Sequence, residues 1–265
     1  METLQPKEMM QALHFPARVA VVIPAWQPPQ ELLSVAGRLA ALGCDAIVVV
    51  DDGSSSEYQE LFQALQRMPA VHLLRHSNNR GKGCALKTGL GYFLSDLAEY
   101  AGVVTADADG QHAVDDIARV ATAMVEEPTR LVLGSRQKIL QMPLRSRFGN
   151  TLTRRVFRAV TGTKVTDTQT GLRGFPRSLV PELLTLAGAR YEYEMAVLLH
   201  CCRSGRTPVE VSIRTIYTEG NRSSHFHPIR DSLEIYRVLV RSCVSRRIRL
   251  GRDAQERLMP GSKIS

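Results

Sequence analysis

The chain has 265 residues, 44% of them hydrophobic, and 34 Lys plus Arg against 26 Asp plus Glu give a net charge of +8. That size and apolar content suit one large domain with or without tails and exclude wholesale disorder. No apolar run approaches the ~18 residues of a membrane-spanning helix, and the acids and prolines at the start do not read as a secretory leader.

Residues 1–16 read as a polar arm. Val19 to Ile23 reads as a buried strand stopped by Pro24. Gln30 to Leu42 has helical apolar spacing and meets Gly43, a C-cap residue. Ala46 to Val50 is a second apolar strand, running into Asp51-Asp52-Gly53-Ser54. Tyr58 to Met68 reads as a helix, Val71 to Leu74 as a strand, Gly83 to Leu97 as a helix. Gly102 to Ala106 is a fourth strand, Val114 to Glu126 a helix, Leu131 to Leu133 a fifth strand. Beyond Gly134 the alternation weakens. Helices are expected near Leu152–Val160, Arg177–Leu186 and Glu192–Ser204, a strand at Val209–Ile213, and a last helix from about Ile229.

Short all-apolar strands alternating with helices predict an α/β fold with a Rossmann-like, mostly parallel central sheet and helices on both faces. Such sheets bind ligands at the carboxyl ends of their strands. Three polar clusters fall there: Pro24-Ala25-Trp26-Gln27, Asp51-Asp52-Gly53-Ser54 and Asp107-Ala108-Asp109-Gly110.

Charge is uneven. Six arginines and no acid lie between Ile235 and Arg252, so a basic tail follows a nearly neutral body. That distribution argues against a nucleic-acid partner. The tail's apolar Ile235, Val238, Leu239 and Val244 allow a basic amphipathic helix on an anionic membrane surface, or a solvated helix. The five cysteines, with no C-x-x-C pair, fit reduced and mostly buried thiols.

Each polar cluster has a chemical and a plain reading. Asp107 and Asp109 with Gln111 supply oxygen ligands for Mg²⁺ or Mn²⁺, or form an acidic turn before the helix at Val114. Asp51 and Asp52 reach a base or ribose hydroxyl, or close a turn with Ser54 to Ser56 as N-caps. Asn79-Arg80-Gly81-Lys82-Gly83 allows close backbone approach and sets Lys82 toward a phosphate, or is a glycine turn. It is not a Walker A loop. Arg136, Arg145 and Arg147 suit phosphate capture, or are surface charges. Asp167 is an acceptor-orienting carboxylate or part of an Asx turn. Glu192 and Glu194 fall in a first helical turn, where the dipole favours acids, so at least one is expected to be structural. His225 and His227 lack cysteine partners, which disfavours zinc.

Taken in order, Val-Val-Ile-Pro-Ala (21–25), Val-Val-Asp-Asp-Gly-Ser (49–54), Asn-x-Gly-Lys-Gly-x-Ala-Leu-Lys-Thr-Gly (79–89), Ala-Asp-Ala-Asp-Gly-Gln-His (106–112), Leu-Gly-Ser-Arg (133–136), Arg-x-Arg-Phe-Gly-Asn (145–150), Asp-Thr-Gln-Thr-Gly-Leu-Arg-Gly-Phe (167–175), Tyr-Glu-x-Glu-Met (191–195) and Ser-Ser-His-Phe-x-Pro-x-Arg-Asp-Ser (223–232) make a specific set. With them the chain resembles family 2 glycosyltransferases of the GT-A fold, in the polyprenyl- or dolichyl-phosphate hexosyltransferase branch, from about Val19 to Tyr236.

The resemblance implies roles. Pro24, Ala25 and Asp52 would contact the nucleotide base and ribose, while Asp51 and Lys82 are nucleotide-binding candidates from the residue patterns above. Asp107, Asp109 and Gln111 would hold Mg²⁺ or Mn²⁺ and the donor diphosphate. Arg136 and Arg147 would receive donor and acceptor phosphates. Arg222 and Ser224 would belong to a late loop over the donor. An anionic lipid phosphate would attack the anomeric carbon with inversion, needing no strong base. The nearer alternative is the same fold acting on a sugar or lipid hydroxyl in cell-envelope glycan synthesis; that acceptor would need a base, and Asp167 is the candidate. After Pro24-Ala25 the family carries an aromatic, Asn and Glu, whereas this chain has Trp26-Gln27-Pro28-Pro29, which leaves UDP- against GDP-hexose open. The expected division is an arm over 1–16, a GT-A domain over 17–232 and a basic helix and tail over 233–265. The enzyme is expected to be cytoplasmic and peripheral to the inner membrane face, through its tail or a separate membrane protein. A sugar nucleotidyltransferase is the more distant enzyme alternative, disfavoured because Pro24-Ala25-Trp26-Gln27 is not a glycine-rich triphosphate loop.

Overall fold

The computed structural model describes residues 14–136, 144–214 and 230–240, and of 144–150 only the backbone. The strands are β1 (Val19–Ala25), β2 (Ile47–Asp51), β3 (Val71–Arg75), β4 (Gly102–Thr105), β5 (Val132–Arg136), β6 (Arg173–Pro176) and β7 (Val209–Ile213). The helices are α1 (Glu31–Ala41), α2 (Gln59–Gln66), α3 (Lys82–Asp96), α4 (Val114–Glu126), α5 (Leu144–Thr161), α6 (Val180–Leu184), α7 (Glu192–Arg203) and α8, over residues 230–240. Short 3₁₀ turns at Ser56–Tyr58 and Arg177–Leu179 lead into α2 and α6.

The described strands form one sheet in the order β3-β2-β1-β4-β6-β5-β7. Strands β1 to β4 are mutually parallel where they pair, as the continuous apolar runs predict. The sheet has two cores because strand side chains alternate between its faces. Val19, Val21 and Ile23 pack with α1, α2 and α4. Ala20 and Val22 pack with α3 and the later helices. Full burial of one such side chain is worth about 1.5–3 kcal/mol.

Two expectations need correction. Pro24 does not stop β1, which runs on to Ala25. Pairing with β4 ends at Val22, while pairing with β2 continues through Pro24 to Ala25. The N–H that proline lacks falls on the side with no further strand to serve. The second correction is β6, absent from the sequence reading. It lies antiparallel between β4 and β5. All four of its residues are buried, Arg173 among them. Arg173 is tolerated there because its Nε donates to the Thr170 carbonyl at 2.9 Å and its guanidinium to the Glu194 carbonyl at 2.6 Å.

The last helix also differs from expectation. Ile235 and Leu239 of α8 are buried in the core shared with α3, α5 and α7. They are therefore not available to a lipid surface. The exposed apolar residues of α8 are Leu233 (50%) and Val240 (61%). Among the described residues, no helix is long and apolar enough to cross a membrane.

Candidate active site

The carboxyl ends of β1, β2 and β4 and the start of α3 surround a cavity of about 430 Å³. Pro24, Ala25, Asp52, Lys82, Asp107 and Asp109 all line it, so the three polar clusters of the sequence do meet. Trp26 of the first cluster lines it as well, as do Arg190 and Tyr191, to which the sequence assigns no role. Burial pushes the Tyr191 hydroxyl up to about 12.

Asp51 and Asp52 part company. Asp51 is fully buried and does not line the cavity. Its Oδ1 accepts the Ser54 N–H at 2.8 Å, and Arg75 Nε lies 2.9 Å from Oδ2. The expectation that Asp51 binds the nucleotide is therefore corrected to a turn-holding role. Asp52 borders the cavity, but its carboxylate holds the opposite loop. Oδ1 accepts the Arg80 N–H at 2.9 Å and lies 2.6 Å from His76 Nδ1. Oδ2 accepts the Gly81 N–H at 2.7 Å. His76 in turn lies 2.9 Å from Thr88 Oγ1 on α3. Gly53 lets the two loops meet: its φ is +74°, and a Cβ there would fall 2.3 Å from the Asn78 carbonyl carbon.

Lys82 begins α3, at the positive end of the helix dipole, a poor place for a cation. Two carboxylates hold it there. Its Nζ is 2.7 Å from Asp107 Oδ1 and 3.0 Å from Glu194 Oε2, and its side chain is 17% exposed. Burial would lower its amine, but Asp107 and Glu194 outweigh that and keep it above the usual lysine range. Burial likewise works against the Asp107 carboxylate, yet Lys82 and His112 hold it well below the usual range. His112 Nε2 is 3.2 Å from Asp107 Oδ2. Asp109 shifts the other way: burial, then the charge of Asp107, push it up.

Two adjacent carboxylates, one disfavoured by the other's charge, fit a hard divalent cation. Among the described residues, no group of three or more His, Cys, Asp or Glu is arranged to hold a metal. Mg²⁺ commonly takes only one or two carboxylates from a protein and the rest from phosphates and water. Gln111, expected as a third ligand, donates its backbone N–H to Asp109 Oδ1 at 3.0 Å. It also lines a smaller neighbouring cavity of about 30 Å³.

Asp107 and His112 line that second cavity too, as do Arg136, Gln169 and Arg214. Asp107 thus stands between the two cavities. Arg136 grips Asp167 with two nitrogens, Nε to Oδ2 at 2.5 Å and Nη2 to Oδ1 at 3.1 Å. The Gln169 N–H adds a bond to Oδ1 at 3.0 Å. Asp167 is only 1% exposed.

Glu192 and Glu194 also divide. Glu192 Oε1 accepts the Ala189 and Arg190 N–H groups, a structural cap. Glu194 holds Lys82 in the cavity. Arg147 lies on α5 outside the described side chains, and Arg222 and Ser224 lie outside the described residues.

A sheet covered on both faces, with a D-x-D pair over a cavity at its carboxyl edge, defines a GT-A glycosyltransferase fold. The chain belongs to glycosyl transferase family 2, whose model matches residues 20–184, and it is a glycosyltransferase. It is 33% identical over 219 residues to UDP-N-acetylglucosamine–dolichyl-phosphate N-acetylglucosaminyltransferase of Methanococcus voltae, covering 76% of this chain and 86% of that protein. It is 28% identical to polyprenol monophosphomannose synthase of Mycolicibacterium smegmatis over 209 residues, 74% of this chain and 76% of that protein. Among solved structures, glucosyl-3-phosphoglycerate synthase of Mycobacterium tuberculosis, with Mn²⁺, UDP and phosphoglyceric acid, superposes with a TM-score of 0.62 at 18% identity. The match covers 85% of this chain and 78% of that one, and it establishes the shared fold.

Proposed function

We propose that the protein is an inverting hexosyltransferase that takes its sugar from a nucleoside-diphosphate hexose and passes it to a polyprenyl phosphate. The observation that carries the donor half is the 430 Å³ cavity, where Pro24, Ala25, Asp52, Lys82, Asp107 and Asp109 converge. Asp52 fixes the Arg80-Gly81 backbone, and Lys82 lines the cavity with its ammonium held between Asp107 and Glu194. Asp107 and Asp109 would hold Mg²⁺ or Mn²⁺, which supplies charge neutralisation of the departing diphosphate.

The acceptor oxygen attacks the anomeric carbon as the bond to the diphosphate breaks. A phosphate monoester is already anionic near neutral pH, so positioning and electrostatics suffice. Two features support a phosphate nucleophile. Asp167, the base a hydroxyl acceptor would need, is buried with both oxygens hydrogen-bonded. The relatives named above act on dolichyl phosphate or make polyprenol monophosphomannose. Arg136 would face the acceptor side with Arg147, and Arg222 and Ser224 would close over the donor.

A hydroxyl acceptor is the second reading, and the solved structures favour it. Two structures of glucosyl-3-phosphoglycerate synthase, which share the fold, hold phosphoglyceric acid or glucosyl-3-phosphoglycerate with UDP and Mn²⁺. On that reading the arginines near Asp107 would orient a phosphorylated small molecule whose hydroxyl attacks.

We place the enzyme at the cytosolic membrane face, with the arginine-rich tail or a separate membrane protein bringing it to its lipid. One assay tests both readings. Purified protein, Mn²⁺ and labelled UDP- and GDP-hexoses are mixed with undecaprenyl or dolichyl phosphate, and in parallel with phosphoglycerate. EDTA-sensitive label in the organic phase supports the lipid-phosphate reading. Label joined to the water-soluble acceptor alone replaces it with the second. No transfer to either acceptor with any donor contradicts both.

A further inference from the structure

Three charged side chains from three elements meet at the wall of the larger cavity, which Lys82 and Asp107 line and Glu194 backs. Lys82 opens α3, Asp107 follows β4, and Glu194 lies in the first turn of α7. The ammonium of Lys82 bridges the other two at 2.7 and 3.0 Å. The second oxygen of Asp107 faces His112 Nε2 at 3.2 Å. Both oxygens of Asp107 therefore have partners within the protein.

An ammonium and a divalent cation cannot share one carboxylate oxygen without strong repulsion. If Asp107 takes a metal through Oδ1, Lys82 has to give way. It does not have to leave the cavity, because Glu194 remains beside it.

We propose that Lys82 is an exchangeable counter-ion of Asp107. It neutralises that carboxylate while no divalent cation is present and yields it when one binds, and Glu194 anchors the displaced ammonium within the cavity. This rests on the reading of Asp107 and Asp109 as cation ligands and assigns a role beyond it. The affinity of the ligand-free protein for metal is set by a lysine that is not a ligand. Glu194 is a positioning residue in this scheme and touches no reacting atom. An anion entering the cavity gains a released cation, so metal and anion bind cooperatively.

A salt bridge that acts only by holding α3 to α7, its charges unfelt by the cation, behaves differently. Breaking it from either end then moves metal affinity the same way or not at all. Exchange makes the two ends opposite. Lys82→Met removes the competitor for Asp107 and tightens metal binding. Glu194→Gln leaves Lys82 to Asp107 alone and weakens it.

The test is direct binding of Mn²⁺ to the full chain, with no nucleotide or acceptor present, read from the EPR signal of free Mn²⁺. Lys82→Met is expected to bind roughly 10-fold tighter than wild type and Glu194→Gln several-fold weaker. Lys82→Met alone strands the buried Glu194 carboxylate beside the partly exposed Asp107, so the charge-balanced double variant Lys82→Met/Glu194→Gln is measured as well. It should bind roughly 10-fold tighter than Glu194→Gln. Lys87→Met is the control for diffuse charge. Lys87 sits on the same helix but donates to the Gly188 carbonyl and lies over the Tyr193 ring, and its loss should leave Mn²⁺ affinity unchanged.

Equal or weaker binding on removing Lys82 in both backgrounds overturns the exchange. So does a Lys87→Met effect as large as that of Lys82→Met. Asp109→Asn separates this failure from failure of the metal reading. If it lowers Mn²⁺ affinity while Lys82→Met does nothing, the metal site stands and only the exchange falls. If it changes nothing, both fall.

Discussion

Gly171 lies against Asp107 so closely that a Cβ on it would fall 2.4 Å from Oδ2 and 2.5 Å from Oδ1. The loop before β6 thus forms one wall of the carboxylate between the two cavities. Gly171→Ala has to push that carboxylate aside. We expect a loss of transfer of at least ~10-fold from such a displacement of a reacting-site group. Unfolding should be little changed, since the moved group is partly exposed. Kinetics alongside thermal unfolding check this; unchanged kcat/KM would mean that Asp107 has room to shift without consequence.

Asp109 should trade stability against activity. Its carboxyl is pushed up by burial and by Asp107, so the fold prefers it protonated. Below the unfolded-state value of ~3.9 the folded and unfolded chains both carry the proton and there is no penalty. As pH rises through the higher folded-state value, ionisation costs the fold stability. Asp109→Asn should therefore melt above wild type at pH 7 in EDTA, with the difference vanishing toward pH 3. Its transfer activity should fall by about 10²–10³, the usual loss when an electrostatic stabiliser is removed. Melting curves across pH decide the first part, and a variant less stable at pH 7 contradicts it.

The Arg136–Asp167 pair makes opposite predictions for the two acceptor chemistries. If Asp167 only positions Arg136, Asp167→Asn lowers activity without changing the shape of the pH–rate profile. If it is a general base, the acidic limb of that profile disappears. We expect the first. Arg136→Ala should be the more damaging change to the fold, because it strands a buried carboxylate at a cost of about 3–5 kcal/mol.

Asp52 is expected to act through the loop it holds. Asp52→Ala leaves the Arg80 and Gly81 N–H groups without their acceptor, at about 1–3 kcal/mol for each one that stays buried. Donor KM should rise more than kcat falls, and limited proteolysis should gain a cut near residues 78–81. A kcat defect with donor KM unchanged would instead make Asp52 part of the chemistry.

Much of this arrangement was legible in the residues. The apolar runs at Val19, Ala46 and Gly102 named three parallel strands, and their polar ends met in one cavity as expected. What stayed hidden has physical reasons. Gly174 and Pro176 are poor strand formers and Arg173 puts a charge on a buried strand; β6 exists because neighbouring strands and buried carbonyls complete it. Asp51 and Asp52 look alike in sequence, but successive side chains at a strand end point to opposite sides, so only Asp52 reaches the cavity edge. Lys82 was read as a phosphate ligand, yet its partners come from β4 and α7, and no local spacing encodes an ion pair made by the chain's topology. Glu194 was obscured by its neighbour Glu192, since a first helical turn favours acids whatever else they do.

The burial of Ile235 and Leu239 has a mechanical corollary. A flexible tether lets a catalytic body tumble at the end of its leash. Here the segment leading into the arginine-rich run is keyed into the hydrophobic interior. Ile235 and Leu239 are thus part of the keel, and cutting the chain before residue 230 would open the core behind α3 and α7 rather than merely shorten an appendage.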